Sequence, residues 1–178
     1  MQAIVHCDKN WGIGKKNDLM FHLPKDMAFF KMKTAGKVVV MGSNTLLSFP
    51  KEKPLKNRTN IVLWPGGDHE RAKRDGFILV ESLDELFEEL KKYYTWDIYI
   101  IGGAMMYHTM LPYCEYAYIT KVDEEGNADV FFDNLDEHPD WELNWEDPWQ
   151  DDNGHRIKFT LYKNKTISST SPEALVEF

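Results

Sequence analysis

The sequence predicts a single α/β domain in which helices pack against a central sheet. Short apolar runs rich in β-branched residues alternate with segments of helical periodicity along most of the chain, which is typical of such a domain. The length of 178 residues suits one domain, and 43% hydrophobic and 13% aromatic residues exclude a disordered chain. After residue 120 the pattern changes to strand-like alternation, which predicts that an antiparallel hairpin closes the sheet.

The predicted helices and strands alternate along the chain. Residues 82–94 give the clearest helix, because Ser82 and Glu85 form a capping box and apolar residues follow at helical spacing. Pro24 favours the first turn of another helix, which should end near Gly36. Two shorter helices are predicted at residues 44–49 and 104–111. Strands are predicted at residues 2–7, 38–41, 60–63, 77–80, 97–101 and 116–122, and the hairpin strands at residues 141–145 and 156–162 on either side of a turn at 152–154.

Composition and charge exclude several classes of partner. The chain carries 21 basic and 29 acidic residues, a net charge of −8, which is the opposite of a nucleic-acid-binding surface. No apolar run approaches the roughly 20 residues that span a bilayer, and the first residues lack the pattern of an export signal. We therefore expect a cytoplasmic protein with no nucleic-acid or membrane partner. Since no exposed apolar stripe is evident, we also expect a monomer.

The two cysteines and the C-terminal segment complete the predicted organisation. Cys7 and Cys114 are too few for a disulfide scaffold and are not spaced as zinc ligands, so we expect reduced core thiols and no metal site. From Thr166 the chain is rich in serine and threonine, and we treat it as an appendage. We predict one domain over residues 1–165, followed by a C-terminal tail over residues 166–178.

Two junctions between a predicted strand and a predicted helix have the composition of anion sites. Gly102 and Gly103 precede one helix, where free backbone N–H groups and a close approach to the backbone suit a pyrophosphate. Residues 41–45 form the second junction, where Ser43 or Asn44 can cap a helix and reach phosphate oxygens. A tight turn without a ligand explains either junction alone. Two of them at the carboxyl ends of strands in one sheet favour a nucleotide.

Asp26 is the candidate functional acid. An acid in the first turn of a helix commonly just complements the helix dipole. However, Phe29 and Phe30 share its face of the helix, and a carboxylate in an aromatic pocket is unfavourable unless it binds a partner. A planar heterocycle with adjacent N–H donors would be a suitable partner for this carboxylate. We expect His6, inside the first strand, to be an interior histidine with its hydrogen bonds satisfied rather than a catalytic group.

Residues 8–21 form a connection longer than most in compact domains. This loop contains Gly12, Gly14 and several large apolar residues. We therefore predict a lid rather than a disordered segment.

These motifs, in this order and spacing, resemble those of dihydrofolate reductases over residues 3–162. The resemblance implies a mostly parallel eight-stranded sheet with an antiparallel C-terminal strand and helices on both faces, and a cis peptide bond between Gly102 and Gly103. It also implies NADPH-dependent reduction of 7,8-dihydrofolate, with a hydride transferred to C6 and a proton to N5. The motifs are Asn10-Trp11-Gly12-Ile13-Gly14, Leu23-Pro24-Lys25-Asp26 with Phe29-Phe30, Val40-Met41-Gly42 with Thr45, Arg58-Thr59-Asn60, Ile101-Gly102-Gly103 with Tyr107, and Thr120.

The resemblance assigns roles to individual residues. Asp26, Thr120 and Tyr107 would be catalytic: Asp26 would accept hydrogen bonds from the pterin, the Thr120 hydroxyl would hold Asp26, and Tyr107 would lie against the nicotinamide. Arg58 would bind the α-carboxylate of the folate glutamate through a fork that lysine cannot reproduce. The implied substrate-binding residues are Ile4, Val5, Asp26, Met27, Phe30, Phe49, Leu55, Arg58, Ile101 and Thr120. The implied cofactor-binding residues are His6, Ile13, Gly14, Leu19, Gly42, Ser43, Asn44, Thr45, Leu63, Trp64, Gly102, Gly103, Ala104, Met105, Met106 and Tyr107.

The chain departs from the family pattern where the 2′-phosphate of NADPH is usually bound. Ser43, Trp64 and Met105 stand where family members often have arginine or hydroxyl residues, and Glu81 adds a negative charge. We therefore predict that NADPH is preferred over NADH by less than is usual, so that NADH is possible as a cofactor. The nearest compensating cations lie in a segment predicted to be a loop, at Arg71, Lys73 and Arg74.

Two alternatives to dihydrofolate reduction remain from the sequence. One is the related reductase of a ribosylaminopyrimidine in riboflavin biosynthesis, against which Asp26 and Arg58 argue. The other is a non-catalytic nucleotide-binding module, which would need the glycine junctions but not the acid.

Overall fold

The structure is a computed structural model that describes residues 1–178. A large sheet and a two-stranded ribbon make up its strands, and five α-helices surround them. The strands are β1 (Gln2–Cys7), β2 (Gly12–Gly14), β3 (Val38–Gly42), β4 (Thr59–Leu63), β5 (Ile78–Val80), β6 (Ile98–Gly102), β7 (Tyr116–Val122), β8 (Val130–Phe131), β9 (Trp141–Glu146), β10 (Gln150–Asp152) and β11 (His155–Asn164). The helices are α1 (Pro24–Thr34), α2 (Ser43–Ser48), α3 (His69–Asp75), α4 (Leu83–Leu90) and α5 (Ala104–Met110).

The large sheet confirms the predicted eight-stranded, mostly parallel architecture. Its order is β10-β11-β7-β1-β6-β3-β4-β5, and the six strands from β7 to β5 are parallel. β11 pairs with β7 in the antiparallel direction, so the C-terminal strand is antiparallel as predicted. β10 pairs with the first part of β11, and β9 pairs with its last part. These two short strands therefore share one position, and the sheet has eight positions.

Alternating side chains of the central strands build a core on each face of the sheet. In β3, Val38 and Val40 belong to a core shared with α4 and α5, whereas Val39 and Met41 face a core with α2 and α3. The aromatic side chains of α1 pack against this second core. Because both faces are apolar, parallel strands of this kind read as continuous hydrophobic runs. Helices therefore cover both faces, as predicted.

The predictions were wrong at helix α3, which was expected to be a loop. The Asp68 side chain accepts a hydrogen bond from the Arg71 backbone N–H (3.0 Å) and begins the helix, and Gly76 in the left-handed region (φ 80°) ends it. Only Ala72 of this helix is buried. A helix that buries one small residue has no apolar periodicity that a sequence could show.

The boundaries of α4 and of the predicted hairpin also differ from expectation. Helix α4 has the predicted cap, in which the Ser82 hydroxyl accepts from the Glu85 N–H, but it ends at Leu90 instead of residue 94. The two predicted hairpin strands do pair antiparallel, as β9 with the last part of β11. The turn at residues 152–154, however, joins β11 to the short strand β10, which lies between them in the sequence and was not predicted. Strand β10 is polar and lacks the alternation that predicts a strand.

Residues 166–178 lie against the domain. The Ala174 carbonyl accepts a hydrogen bond from the Thr95 N–H (2.8 Å), Val176 is buried, and the Phe178 ring lies 4.4 Å from that of Phe87. The division of the chain at residue 165 stays a prediction. No helix of the chain has both the length and the apolar character needed to cross a bilayer.

Both cysteines are buried and unbonded. Burial raises the pKa of the Cys7 thiol and of the Cys114 thiol to about 12. Each side chain is therefore a protonated, apolar core residue at neutral pH.

Candidate active site

The site is built around the Asp26 carboxylate. Helix α1 carries Asp26, and strands β7 and β1 carry the two side chains that lie next to it. Asp26 lies in the first turn of α1, and its side chain is 14% exposed. The Thr120 hydroxyl on β7 donates a hydrogen bond to Asp26 Oδ1 at 2.6 Å. His6 on β1 lies opposite Thr120 in the strand register, and its Nδ1 is 3.4 Å from Asp26 Oδ2. The contact between Thr120 and Asp26 confirms that these two predicted residues meet.

Asp152 fixes the start of the helix that carries Asp26. This residue on β10 is 2% exposed, and its two carboxylate oxygens accept hydrogen bonds from the Lys25 N–H (3.0 Å) and the Asp26 N–H (3.1 Å). The residue that precedes the helix, Leu23, offers no side-chain cap. A carboxylate at a helix N-terminus satisfies free N–H groups and complements the helix dipole. Asp152 was not predicted from the sequence, because it lies 126 residues from Asp26 and no local pattern links the two.

Tyr107 lies near Asp26, but its hydroxyl donates its hydrogen bond to another group. The hydroxyl donates to the Ile4 carbonyl oxygen at 2.8 Å, which ties α5 to β1. Burial, and secondarily the charge of Asp26, raise the pKa of Tyr107 well above its usual range. Tyr107 is therefore a neutral phenol that positions the backbone of β1.

Most of the predicted substrate-binding side chains belong to one apolar group. Ile4 and Ile101 are buried in the second core, and Phe30, Phe49 and Leu55 pack against it while partly exposed. Two members differ. Met27 is 52% exposed on α1, and the Val5 side chain packs against the opposite core, because neighbouring residues of a strand face opposite sides.

Arg58 lies beside Phe30 of this apolar group and is held in place by neutral partners. Its Nε donates to the Thr34 hydroxyl (3.0 Å) and its Nη1 to the Lys56 carbonyl (2.8 Å). The guanidinium lies 5.9 Å from the Phe30 ring centre. Burial lowers the pKa of Arg58, but no carboxylate of the protein neutralises its charge. The Nη2 group makes no hydrogen bond and can bind an anion.

At the junction of β6 and α5 the backbone adopts a conformation that favours glycine. Gly102 has a φ of 130°, and the peptide bond between Gly102 and Gly103 is cis, as the resemblance implies. A Cβ atom at Gly102 would lie 3.2 Å from the Thr45 hydroxyl and 3.6 Å from the Tyr107 ring. A Cβ atom at Gly42, at the end of the neighbouring strand β3, would meet nothing within 4 Å. The carboxyl ends of β3 and β6 therefore form one edge of the sheet, which is open beside Gly42 and closely packed at Gly102.

The predicted cofactor residues are distributed around this edge. Ser43, Asn44 and Thr45 begin α2, and Gly103, Ala104, Met105 and Met106 begin α5. Met105 is exposed, whereas the Met106 side chain is buried in the core, so only its backbone faces the edge. Leu63 packs against the first core and Trp64 against the second.

Beyond β4, the charged residues are paired with one another. Arg71 lies 5.8 Å from the Trp64 ring and pairs with Glu52 (3.1 Å) and Asp75 (3.5 Å). Glu81 accepts a hydrogen bond from the Gly66 N–H (3.0 Å) and lies 3.2 Å from His69 Nε2. The predicted compensating cation Arg71 is therefore already paired within the protein, and Asp75 also contacts a second predicted cation, Arg74 (3.4 Å).

Asp8 anchors the predicted lid at its beginning. Its buried carboxylate accepts hydrogen bonds from the Asn10 N–H (2.9 Å), the Gly12 N–H (2.7 Å) and the Gly126 N–H (2.9 Å). Strand β2, which contains Ile13 and Gly14, pairs with β8. These contacts join the lid to residues 123–131. Neither the anchoring role of Asp8 nor this pairing was predicted from the sequence.

The later part of the lid covers His6. The Phe21 ring lies 6.1 Å from the ring of His6 and 5.1 Å from that of His155. Leu19, a predicted cofactor residue, is exposed. His6 itself is 7% exposed, and its Nε2 is buried with no hydrogen-bond partner. The expectation that its hydrogen bonds are satisfied inside the protein was wrong.

Comparisons with known proteins agree on one family. The family model described as dihydrofolate reductase matches residues 1–165. The chain is 36% identical over 167 residues to a dihydrofolate reductase of Bacillus subtilis, covering 93% of this chain and 95% of that protein. It is 33% identical over 144 residues to a dihydrofolate reductase of Haemophilus influenzae, covering 81% and 84%. A bifunctional dihydrofolate reductase-thymidylate synthase of Glycine max is 34% identical over 149 residues, covering 76% of this chain and 28% of that protein. The family match spans every residue of the site described above.

Proposed function

The chain belongs to the dihydrofolate reductase family, and on this premise we propose that it reduces 7,8-dihydrofolate to 5,6,7,8-tetrahydrofolate with NADPH as reductant. The observation that carries the proposal is the Asp26 carboxylate, held by the Thr120 hydroxyl at 2.6 Å beside an apolar group of side chains. A neighbouring pair of N–H donors on a flat heterocycle is the natural partner of such a carboxylate.

Asp26 would bind the pterin and raise its basicity. Each carboxylate oxygen accepts more than one hydrogen bond, so Asp26 can accept from the 2-amino group and N3 while Thr120 still donates to it. The negative charge next to the ring system favours protonation of the pterin at N5. Thr120 acts as a positioning residue, because it touches Asp26 and fixes the direction of its oxygens.

Arg58 would bind the glutamate of the substrate. Its guanidinium carries a charge that no protein carboxylate neutralises, and Nη2 is free to donate. Phe30, which packs against the second core, lies one helical turn after Asp26, and its ring centre is 5.9 Å from the Arg58 guanidinium. This arrangement suits a ligand with a heterocycle at one end and a carboxylate at the other.

The open edge of the sheet fits a dinucleotide. Gly42 leaves space where a side chain would otherwise stand, and the buried Nε2 of His6 lacks a partner within the protein. When bound, NADPH supplies the hydride. Gly42 to Thr45, Trp64 and Gly102 to Tyr107 would hold the cofactor, and the lid would exclude water from the pterin.

The preference for NADPH over NADH is proposed to be weak. Glu81 and the neutral side chains of Ser43 and Met105 offer no cation to a 2′-phosphate, and Arg71 is paired with Glu52 and Asp75. One charge-assisted hydrogen bond contributes about 1.5 to 3 kcal/mol, so each missing contact reduces selectivity by about tenfold or more.

The test is NADPH oxidation by the purified protein. We expect oxidation only when dihydrofolate is present, and tetrahydrofolate as the product. Asp26→Asn supplies the matched control, since it removes one charge and keeps the shape of the side chain. Reduction of a ribosylaminopyrimidine in place of dihydrofolate, or no turnover with either compound, would refute the proposal.

We also propose that the enzyme acts as a monomer in the cytoplasm, without a nucleic-acid partner. Two buried, unbonded cysteines and a net charge of −8 support this assignment. Light scattering on the purified protein would test the oligomeric state, and a mass of twice 20.9 kDa would refute the monomer.

A further inference from the structure

The His6 side chain on β1 has a buried ring nitrogen without a hydrogen-bond partner. His6 is 7% exposed, and Nε2 is the one buried side-chain nitrogen or oxygen of the chain that has no hydrogen-bond partner. Buried polar groups in native proteins are almost always paired, and an exception calls for a water, an ion or a ligand. The other nitrogen of the ring, Nδ1, lies 3.4 Å from Asp26 Oδ2, so His6 lies beside the carboxylate at which a ligand is expected.

The polar groups of the surrounding protein cannot satisfy this nitrogen. The Thr120 hydroxyl, opposite His6 in the strand register, donates to Asp26. The Tyr107 hydroxyl donates to the Ile4 carbonyl. Phe21 covers His6 from the lid and offers only an aromatic ring. The partner of Nε2 must therefore come from outside the chain.

The neighbouring carboxylate determines which hydrogen-bonding group fits. His6 Nδ1 lies 3.4 Å from Asp26 Oδ2, and a carboxylate oxygen is an acceptor. In the neutral form of the ring, we assign the hydrogen to Nδ1 for this reason. Nε2 is then an acceptor, and it requires a donor from the ligand.

We propose that His6 is a ligand-binding residue whose Nε2 accepts a hydrogen bond from an amide or amine N–H of a bound heterocycle, beside the N–H groups that Asp26 binds. The inference rests on the proposed function, since it places His6 within the same pocket. Two ligands of the reaction carry such a donor: the carboxamide of the reduced dinucleotide and the amino group of the pterin. His6 would thereby select ligands that present an N–H donor at this position.

The test compares His6→Phe with His6→Gln. Phenylalanine keeps the ring shape and removes both nitrogens, whereas glutamine restores an acceptor oxygen. His108→Phe is the matched control, because His108 lies exposed on α5 and pairs with Asp133. The affinities of NADPH alone and of dihydrofolate alone are measured by quenching of tryptophan fluorescence, together with that of the dinucleotide in which an acetyl group replaces the carboxamide.

We expect His6→Phe to weaken one of the two ligands by about tenfold, the scale of one hydrogen bond, and His6→Gln to restore part of that affinity. If the dinucleotide is the partner, its acetyl analogue should bind the wild type and His6→Phe equally. If the pterin is the partner, only dihydrofolate should be affected. The control His108→Phe should leave both affinities unchanged.

Nitrogen NMR of the imidazole gives a readout that a purely structural role would not change. The free wild-type protein should show hydrogen on Nδ1 of His6, and the Nε2 resonance should shift when the partner ligand is added. Unchanged affinities in His6→Phe and an unchanged Nε2 resonance, in a wild type that binds both ligands, would overturn the inference. A wild type that binds neither ligand would instead refute the proposed function.

Discussion

Replacing Asp152 should lower both the free energy of unfolding and the turnover rate, because its carboxylate holds the start of helix α1, which carries Asp26. In Asp152→Asn, one oxygen still accepts from α1, but the amide nitrogen faces the second backbone N–H and the negative charge is lost. Hydrogen bonds to a charged group contribute about 1.5 to 3 kcal/mol each, so we expect Asp152→Asn to lower the free energy of unfolding by about 2 kcal/mol. Asp152→Ala removes both acceptors and should lower it by about 4 kcal/mol.

The same substitution should also lower kcat, because Asp152 accepts a hydrogen bond from the backbone N–H of Asp26 itself. Thr120 still holds the Asp26 carboxylate from β7. We therefore expect a partial displacement of the acid and a loss of about tenfold in kcat, smaller than the hundredfold that a full misplacement of about 1 Å can cause.

Urea denaturation and steady-state kinetics on the same preparations measure both effects. Asp151→Asn is the matched control, because it removes the same charge from the neighbouring residue, whose side chain is exposed and makes no hydrogen bond or ion pair. Equal stability of Asp152→Asn and Asp151→Asn would refute the anchoring role. A destabilised Asp152→Asn with normal kcat would show that Thr120 alone positions Asp26.

Three further predictions concern catalysis and ligand binding. Asp26→Asn should keep the fold and reduce turnover by about two orders of magnitude or more, and near-normal turnover at neutral pH would contradict the role of the acid. Arg58→Lys should weaken binding of dihydrofolate much more than binding of a pterin without glutamate, and equal losses would remove Arg58 from the site. Glu81→Gln should increase the ratio of kcat/KM for NADPH to that for NADH, and an unchanged ratio, or a wild-type selectivity in the thousands, would show that another group binds the phosphate.

A fourth prediction belongs with these and concerns pH. Burial raises the pKa of the Cys7 and Cys114 thiols to about 12, above the usual value of about 8.5 for an unfolded chain. Between these values the unfolded chain loses the two protons first, so the free energy of unfolding should fall as pH rises above about 9. Denaturation at two pH values measures the slope, and a Cys7→Ala variant with the same slope would contradict this origin.

The sequence predicted much of the fold because its signals are local. Strands β3 and β6 are continuous apolar runs, and the α4 cap joins residues three positions apart. Helix α3 and strand β10 were missed because their residues are mostly polar, and they form through the Asp68 cap and through pairing with β11. Such elements are stabilised by partners rather than by their own periodicity.

The sequence by itself determined that an acid shares a helix face with aromatic residues and that glycines follow two strands of one sheet, since helical spacing and apolar runs that end in glycine are local signals. Only the tertiary structure decided how Asp26 is held. Its partners Thr120 and Asp152 are 94 and 126 residues away, and His6 approaches it from another strand. It also decided that the Nε2 of His6 has no partner in the protein. Hydrogen bonds between residues so far apart depend on the register of whole strands, which no local pattern of side chains encodes.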